Sequence, residues 1–160
     1  MPETIGGIPI HPLVVHAVVV LLPLAALGVL VVALVPRWRT AFAPLVLGIT
    51  VVAAALVPVA TQSGEALLRS VSGELVVRHA DLGATVIWFA LALLTTAIAL
   101  WWMARRERTN RPLSRGWSLA VSVVAVLVAA AAIVQVVLVG HSGSKAVWDG
   151  TPTSTSSQGD

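Results

Sequence analysis

Four long apolar stretches separated by polar ones set the reading of this chain. Residues 12–35 (PLVVHAVVVLLPLAALGVLVVALV) form the first, interrupted only by Pro23 and Gly28, and residues 41–60, 83–103 and 117–139 form the others. Each approaches or exceeds the roughly 20 apolar residues an α-helix needs to cross the hydrocarbon of a bilayer. None holds Asp, Glu, Lys or Arg. The pattern predicts an all-α fold, a four-helix transmembrane bundle. Pro44 is expected in the first turn of the second span, and Pro58 is expected to bend its far end. The organisation predicted is a short N-terminal segment over 1–11, a membrane domain over 12–140, and a small, polar, mostly disordered tail over 141–160. The first stretch does not read as a cleaved signal, since no basic residue precedes His11 and the apolar run exceeds the usual 7–15 or so residues.

Composition strengthens the membrane reading. The chain is 58% hydrophobic and 11% charged, where soluble domains average about 45–50% and about 25%. A multi-pass protein of the plasma membrane is expected, with the lipid bilayer as its first partner and a homo-oligomer as a further one. The absence of cysteine excludes thiol catalysis, disulfides, iron–sulfur clusters and covalent c-type haem attachment. The formal net charge of +3 does not indicate a nucleic-acid partner, because the arginines sit mostly in loops and no basic recognition module is present.

Charge also gives an orientation. Arg37, Arg39, Arg105, Arg106, Arg108, Arg111 and Arg115 lie between spans one and two or three and four, against the single acid Glu107. The other side carries Arg69, Arg78 and Lys145 against Glu3, Glu65, Glu74, Asp81, Asp149 and Asp160. The positive-inside rule places the arginine loops in the cytoplasm, so that both termini and the 61–82 connection face outward. Trp38, Trp101, Trp102 and Trp117 fall where an interfacial belt belongs, Trp148 follows span four, and Trp88 lies deeper, against helices or lipid. Within 61–82, Glu65/Arg69 and Glu74/Arg78 have the acid-first i,i+4 spacing of short helical pieces, the second extending helix three past His79.

Candidate chemistry concentrates in the histidines. His11 and His16 open span one, His79 precedes span three and His141 follows span four, so a four-pass chain brings all of them to one membrane face. His16 lies among valines about 6 Å inside Pro12 at 1.5 Å per residue and needs a partner there. His11, next to Pro12, is expected near a helix cap. His11 and His16 stand about 140° apart around a helix and share no face, so a site needs residues from other helices. Asp81 could orient an imidazole or be a solvated acid. Gly140 and Gly143, flanking His141, fit a helix cap or a close backbone approach. Gln135, Thr50, Thr85, Thr95, Thr96, Ser118 and Ser122 read as interhelical hydrogen-bonding residues. The charge-free spans argue against a charge-relay transporter. Met103 lies opposite the histidines, which disfavours His/Met haem ligation. Ser63, Glu65 and a histidine lack the nucleophile elbow of a hydrolase.

The opening GIPIHPLVVHAVVV, with His11, Pro12, Leu13, Val15 and His16, resembles the HPxLVHFPIAL start of a bacterial four-helix membrane family known as domain of unknown function twenty-two thirty-one; Ala17 and Val18 stand in place of its FP. TQSGEALL, RHADLG and GHSGSKAVW follow in the order of the SGE…H…GxxGxxAVW series of similar members. The resemblance spans nearly the whole chain except the tail. It offers His11, His16 and His79 as transferable ligand candidates, and the Rieske or cytochrome-type domains fused to some relatives imply a redox-associated module.

Together these readings give the expectation of a non-enzymatic, redox-associated membrane module holding haem b at its outer face. His16 and His79 would be axial ligands, with His11 or His141 as substitutes, Arg78 against a propionate, and redox proteins as outer-face partners. A structural or partner-binding subunit without cofactor is the second expectation. A transition-metal or pH-responsive site built from His11, His16, His79, Glu65 and Asp81 is the third.

Overall fold

The computed structural model of the chain describes residues 4–5, 8–68 and 73–148. Two short antiparallel strands, β1 (Thr4–Ile5) and β2 (Ile8–Pro9), precede four helices: α1 (Ile10–Leu34), α2 (Pro36–Leu68), α3 (Glu74–Arg108) and α4 (Arg115–Trp148). All four helices are long and apolar enough to cross a membrane. Each packs on the next, α4 returns to α1, and α1 also meets α3 across the bundle centre. The α1–α4 seam is the loosest of the four.

Packing follows the logic of a lipid solvent. Alanine is the commonest buried residue, including Ala25, Ala53, Ala90 and Ala129, each wholly inaccessible, while Leu, Val and Trp side chains cover the outside. Small residues at the seams let helices approach closely where lipid tails supply no hydrophobic drive between them. Trp88, 70% exposed, projects from the bundle surface. Gln135 Nε2 donates from α4 to Thr85 Oγ1 (2.7 Å) and to the Leu82 carbonyl (3.2 Å) on α3, an interhelical tie of the kind expected. Thr50, Thr95 and Thr96 instead donate to carbonyls of their own helix, three or four residues back. Their hydroxyls are satisfied locally and link nothing.

The helices outrun the apolar spans. At 1.5 Å per residue α2, α3 and α4 are each about 50 Å long, against about 30 Å of hydrocarbon. The loop expected over 61–82 is therefore mostly helix, with Glu65 on α2 and Glu74, Arg78 and His79 on α3. Glu74 and Arg78 are both exposed and form no ion pair among the described residues; Arg69 lies outside the described residues.

Between α1 and α2 only Val35 intervenes, because Pro36 takes the first helical position, where its missing N–H costs nothing. Pro44 consequently sits well inside α2 and not in its first turn. Proline there deprives the Thr40 carbonyl of its helical donor. The Arg108 guanidinium of α3 supplies one, through Nη2. The α3–α4 turn reverses at Asn110, whose φ of 54° is left-handed; Arg111 N–H then bonds the Arg106 carbonyl (2.9 Å), closing the end of α3. At the other end α4 runs through Gly140 and Gly143 to Trp148, so neither glycine caps it and residues 141–148 belong to the helix. The remainder of the expected tail lies outside the described residues.

Candidate functional site

Two polar constellations occupy opposite ends of the bundle. At the histidine end, His11 of α1 turns its ring onto α2, where Nδ1 lies 3.1 Å from the Ala60 carbonyl and 3.1 Å from Ser63 Oγ. A carbonyl can only accept, so Nδ1 carries the proton. Ser63 Oγ gives its own proton to the Ala60 carbonyl (2.9 Å) and can serve His11 only as an acceptor. His79 of α3 repeats the arrangement on α4. Its Nδ1 lies 3.0 Å from Ser142 Oγ, which donates to the Val139 carbonyl at 2.8 Å. His79 Nδ1 therefore has the Ser142 hydroxyl as its partner. In both rings Nε2 has no hydrogen-bond partner among the described residues.

A glycine makes each contact possible. A Cβ on Gly64 would stand 2.9 Å from His11 Cε1, and one on Gly143 would stand 3.0 Å from His79 Cε1. Ser63-Gly64 and Ser142-Gly143 are thus equivalent dipeptides, each receiving the histidine of the preceding helix. The same unit is built twice, once per helical hairpin. His11 and His79 come from the two helices that meet across the centre, and the rings are near enough to interact electrostatically.

The other two histidines stand apart from this pair. His16 is exposed on the bundle surface, its Nδ1 on the Pro12 carbonyl of its own helix. His141 is exposed, one residue before Ser142, and its carbonyl accepts from Ser144. Arg78, Glu65 and Asp81 are exposed. Among the described residues no three His, Asp or Glu side chains gather as a metal would require. The combination of His11, His16, His79, Glu65 and Asp81 is therefore not assembled. His11 lies in the first turn of α1, its ring on a neighbouring helix and not folded over the helix end.

The arginine end holds a group that sequence reasoning assigned to a loop. Arg39, in the first turns of α2, is 2% exposed. Its Nη1 donates to Glu107 Oε1 of α3 at 2.8 Å and to Ser118 Oγ of α4 at 3.4 Å. Nη2 donates to Ser122 Oγ and the Ala33 carbonyl, each at 3.4 Å, and Nε to the Val32 carbonyl at 3.3 Å. The two carbonyls belong to the last turn of α1, which lacks intrahelical donors. One guanidinium thereby ties together all four helices. Ser118 and Ser122 are its interhelical acceptors. The signals available in the sequence were Glu107, the lone acid among seven arginines, and the i,i+4 serines of span four. Around this end Arg37, Arg105 and Arg106 stack on Trp38, Trp101 and Trp102 at 5.5, 5.1 and 5.0 Å from the ring centres.

A family model described as a predicted membrane protein matches residues 7–155, nearly the whole chain. No curated protein and no solved structure matches it.

Proposed function

The chain belongs to DUF2231, a family of predicted membrane proteins, and from that premise we propose that it is a small, non-enzymatic haem b-binding module of the plasma membrane, with His11 and His79 as the axial ligands. The observation that carries this reading is the orientation of the two rings: both engage Nδ1 with a serine or carbonyl and leave Nε2 without a hydrogen-bond partner among the described residues. Ligating imidazoles are usually oriented in this way, because the bond at one nitrogen fixes the ring and raises the basicity of the other. The rings come from helices that meet across the bundle, so one planar group could be reached from both. Arg78, on the helix turn that carries His79, is the cation nearest in sequence for a propionate. Haem held here would supply one-electron chemistry near one face of the bilayer.

His16, first choice on sequence, is second to His11 because its ring faces away from the bundle. The arginine surplus at the opposite end supports a cytoplasmic location for that end, with the histidines and both termini outside. Redox proteins at the outer face would be the partners.

The test is the visible spectrum of protein purified in mild detergent from cells supplied with a haem precursor, before and after dithionite. A Soret band with sharp α and β bands on reduction is expected, lost in His11→Ala and His79→Ala and retained in His16→Ala. A spectrum unchanged in both ligand variants removes the assignment. A featureless spectrum with ample haem favours a second reading, a structural or partner-binding subunit. The observation behind that reading is that each His–Ser–Gly contact already joins two helices and needs no cofactor to do so.

A further inference from the structure

We propose that the open trough along the α1–α4 seam at the arginine end binds an anionic glycerophospholipid of the adjacent leaflet. The trough encloses about 700 Å³ and has two chemically distinct parts. Its polar lining is Glu107, Arg115, Ser118 and Ser122 above the buried Arg39, and its apolar lining runs down α4 through Leu119, Val123, Val126 and Leu127, faced by Leu34 of α1. From Arg115 to Leu127 the axial rise is about 18 Å at 1.5 Å per residue, against about 15 Å for half the hydrocarbon thickness. A polar mouth above an apolar channel one leaflet deep has the shape of an amphiphile with a single chain in place.

Charge selects the headgroup. Arg39 is already neutralised by Glu107 at 2.8 Å and spends its donors inside the protein. Arg115 is exposed at the rim with no ion pair among the described residues. Its position argues that it does not serve the fold: as the first residue of α4 it sets a cation against the positive end of the helix dipole. A phosphate there would be held by one unneutralised guanidinium, with Arg111 on the preceding turn adding to the field. Trp117 and Trp38, both exposed beside the mouth, fix this level as the membrane interface. Basic clefts between membrane helices recognise anionic headgroups by this combination of field and apolar stem.

The experiment is native mass spectrometry of the intact protein in mild detergent, with phosphatidylglycerol and phosphatidylcholine of identical acyl chains in equal amounts and glycerol phosphate alone as a third probe. Phosphatidylglycerol should be retained about fivefold over phosphatidylcholine, the ratio set by one basic residue's attraction. Glycerol phosphate should not be retained. Arg115→Gln, on the surface and relieved of the dipole penalty, should bring the lipid ratio to near one. Val123→Trp, which fills the channel, should lower retention of both lipids. Equal retention by the wild-type protein, a ratio unchanged in Arg115→Gln, or retention of glycerol phosphate alone would each overturn the assignment. So would a retained dimer, lost with Val123→Trp and carrying no lipid, which would give the trough to a second copy of the chain.

Discussion

The two ends of the bundle solve the same problem with opposite chemistry. Both must hold polar side chains where helices converge. The arginine end does so with one charged group, 2% exposed, that reaches all four helices at once. The histidine end uses two imidazole rings, half-buried, each joining only one pair of helices. A buried guanidinium is costly unless every donor is matched, so its surroundings cannot change without loss. An imidazole leaning on a glycine can move at small cost and keeps one nitrogen without a hydrogen-bond partner among the described residues. The difference suggests a division of labour: one end fastens the bundle, the other is left able to bind.

This contrast can be broken by substitution. Glu107→Ala should have the largest effect, about 3 kcal/mol, because it leaves the Arg39 charge buried without its counter-charge; denaturant or thermal unfolding in detergent measures it. Combining it with Arg39→Met should cost less than the sum of the two single changes, with a coupling of about 2 kcal/mol. Additive values would mean that the pair does not act as a unit. At the opposite end Ser142→Ala should cost about 1 kcal/mol, since His79 loses its only hydrogen-bond partner among the described residues. Ser63→Ala should cost less, because the Ala60 carbonyl still holds His11; equal losses would show that the two contacts are not built as described. The smallest net change belongs to Gly64→Ala. The new methyl must displace the His11 ring, while alanine gains about 0.5–1 kcal/mol in helix preference. In a His11→Ala background the ring is gone, and the same substitution should become plainly stabilising. A sign that does not change would mean that the ring does not rest on Gly64.

Much of the fold was legible because bilayer length and backbone satisfaction act on single helices. Four apolar runs without a charge admit few structures other than four spans, and the matched family is one of predicted membrane proteins. Helix boundaries were less legible. Pro36 starts α2 five residues before the apolar run, and Gly140 and Gly143 read as caps by residue type alone but lie within α4. Gly143 instead meets the other expectation, a close approach, because the His79 ring comes to rest on it. The candidate site was legible by residue type and not by pairing. The wide angular separation of His11 and His16 showed that they could not act together from one face, yet nothing in the periodicity said which of them faced inward. The repeated Ser-Gly dipeptides on α2 and α4 were visible in the sequence, and their meaning depended on the rings above them.

The sequence by itself determined the solvent of this protein, the number of its helices and the segregation of arginine from histidine along the bundle axis. These follow from how far an apolar run extends and where charge is tolerated, which are properties of a chain read in one dimension. The tertiary structure decided that Arg39 is an interior group, that His11 and His79 are the inward pair, and that His16 and His141 face outward. Those outcomes depend on the rotation of each helix about its own axis. With alanine on the seams and Leu and Val around the outside, the apolar pattern constrains that rotation weakly, and packing together with the hydrogen-bond demands of a few buried polar groups sets it.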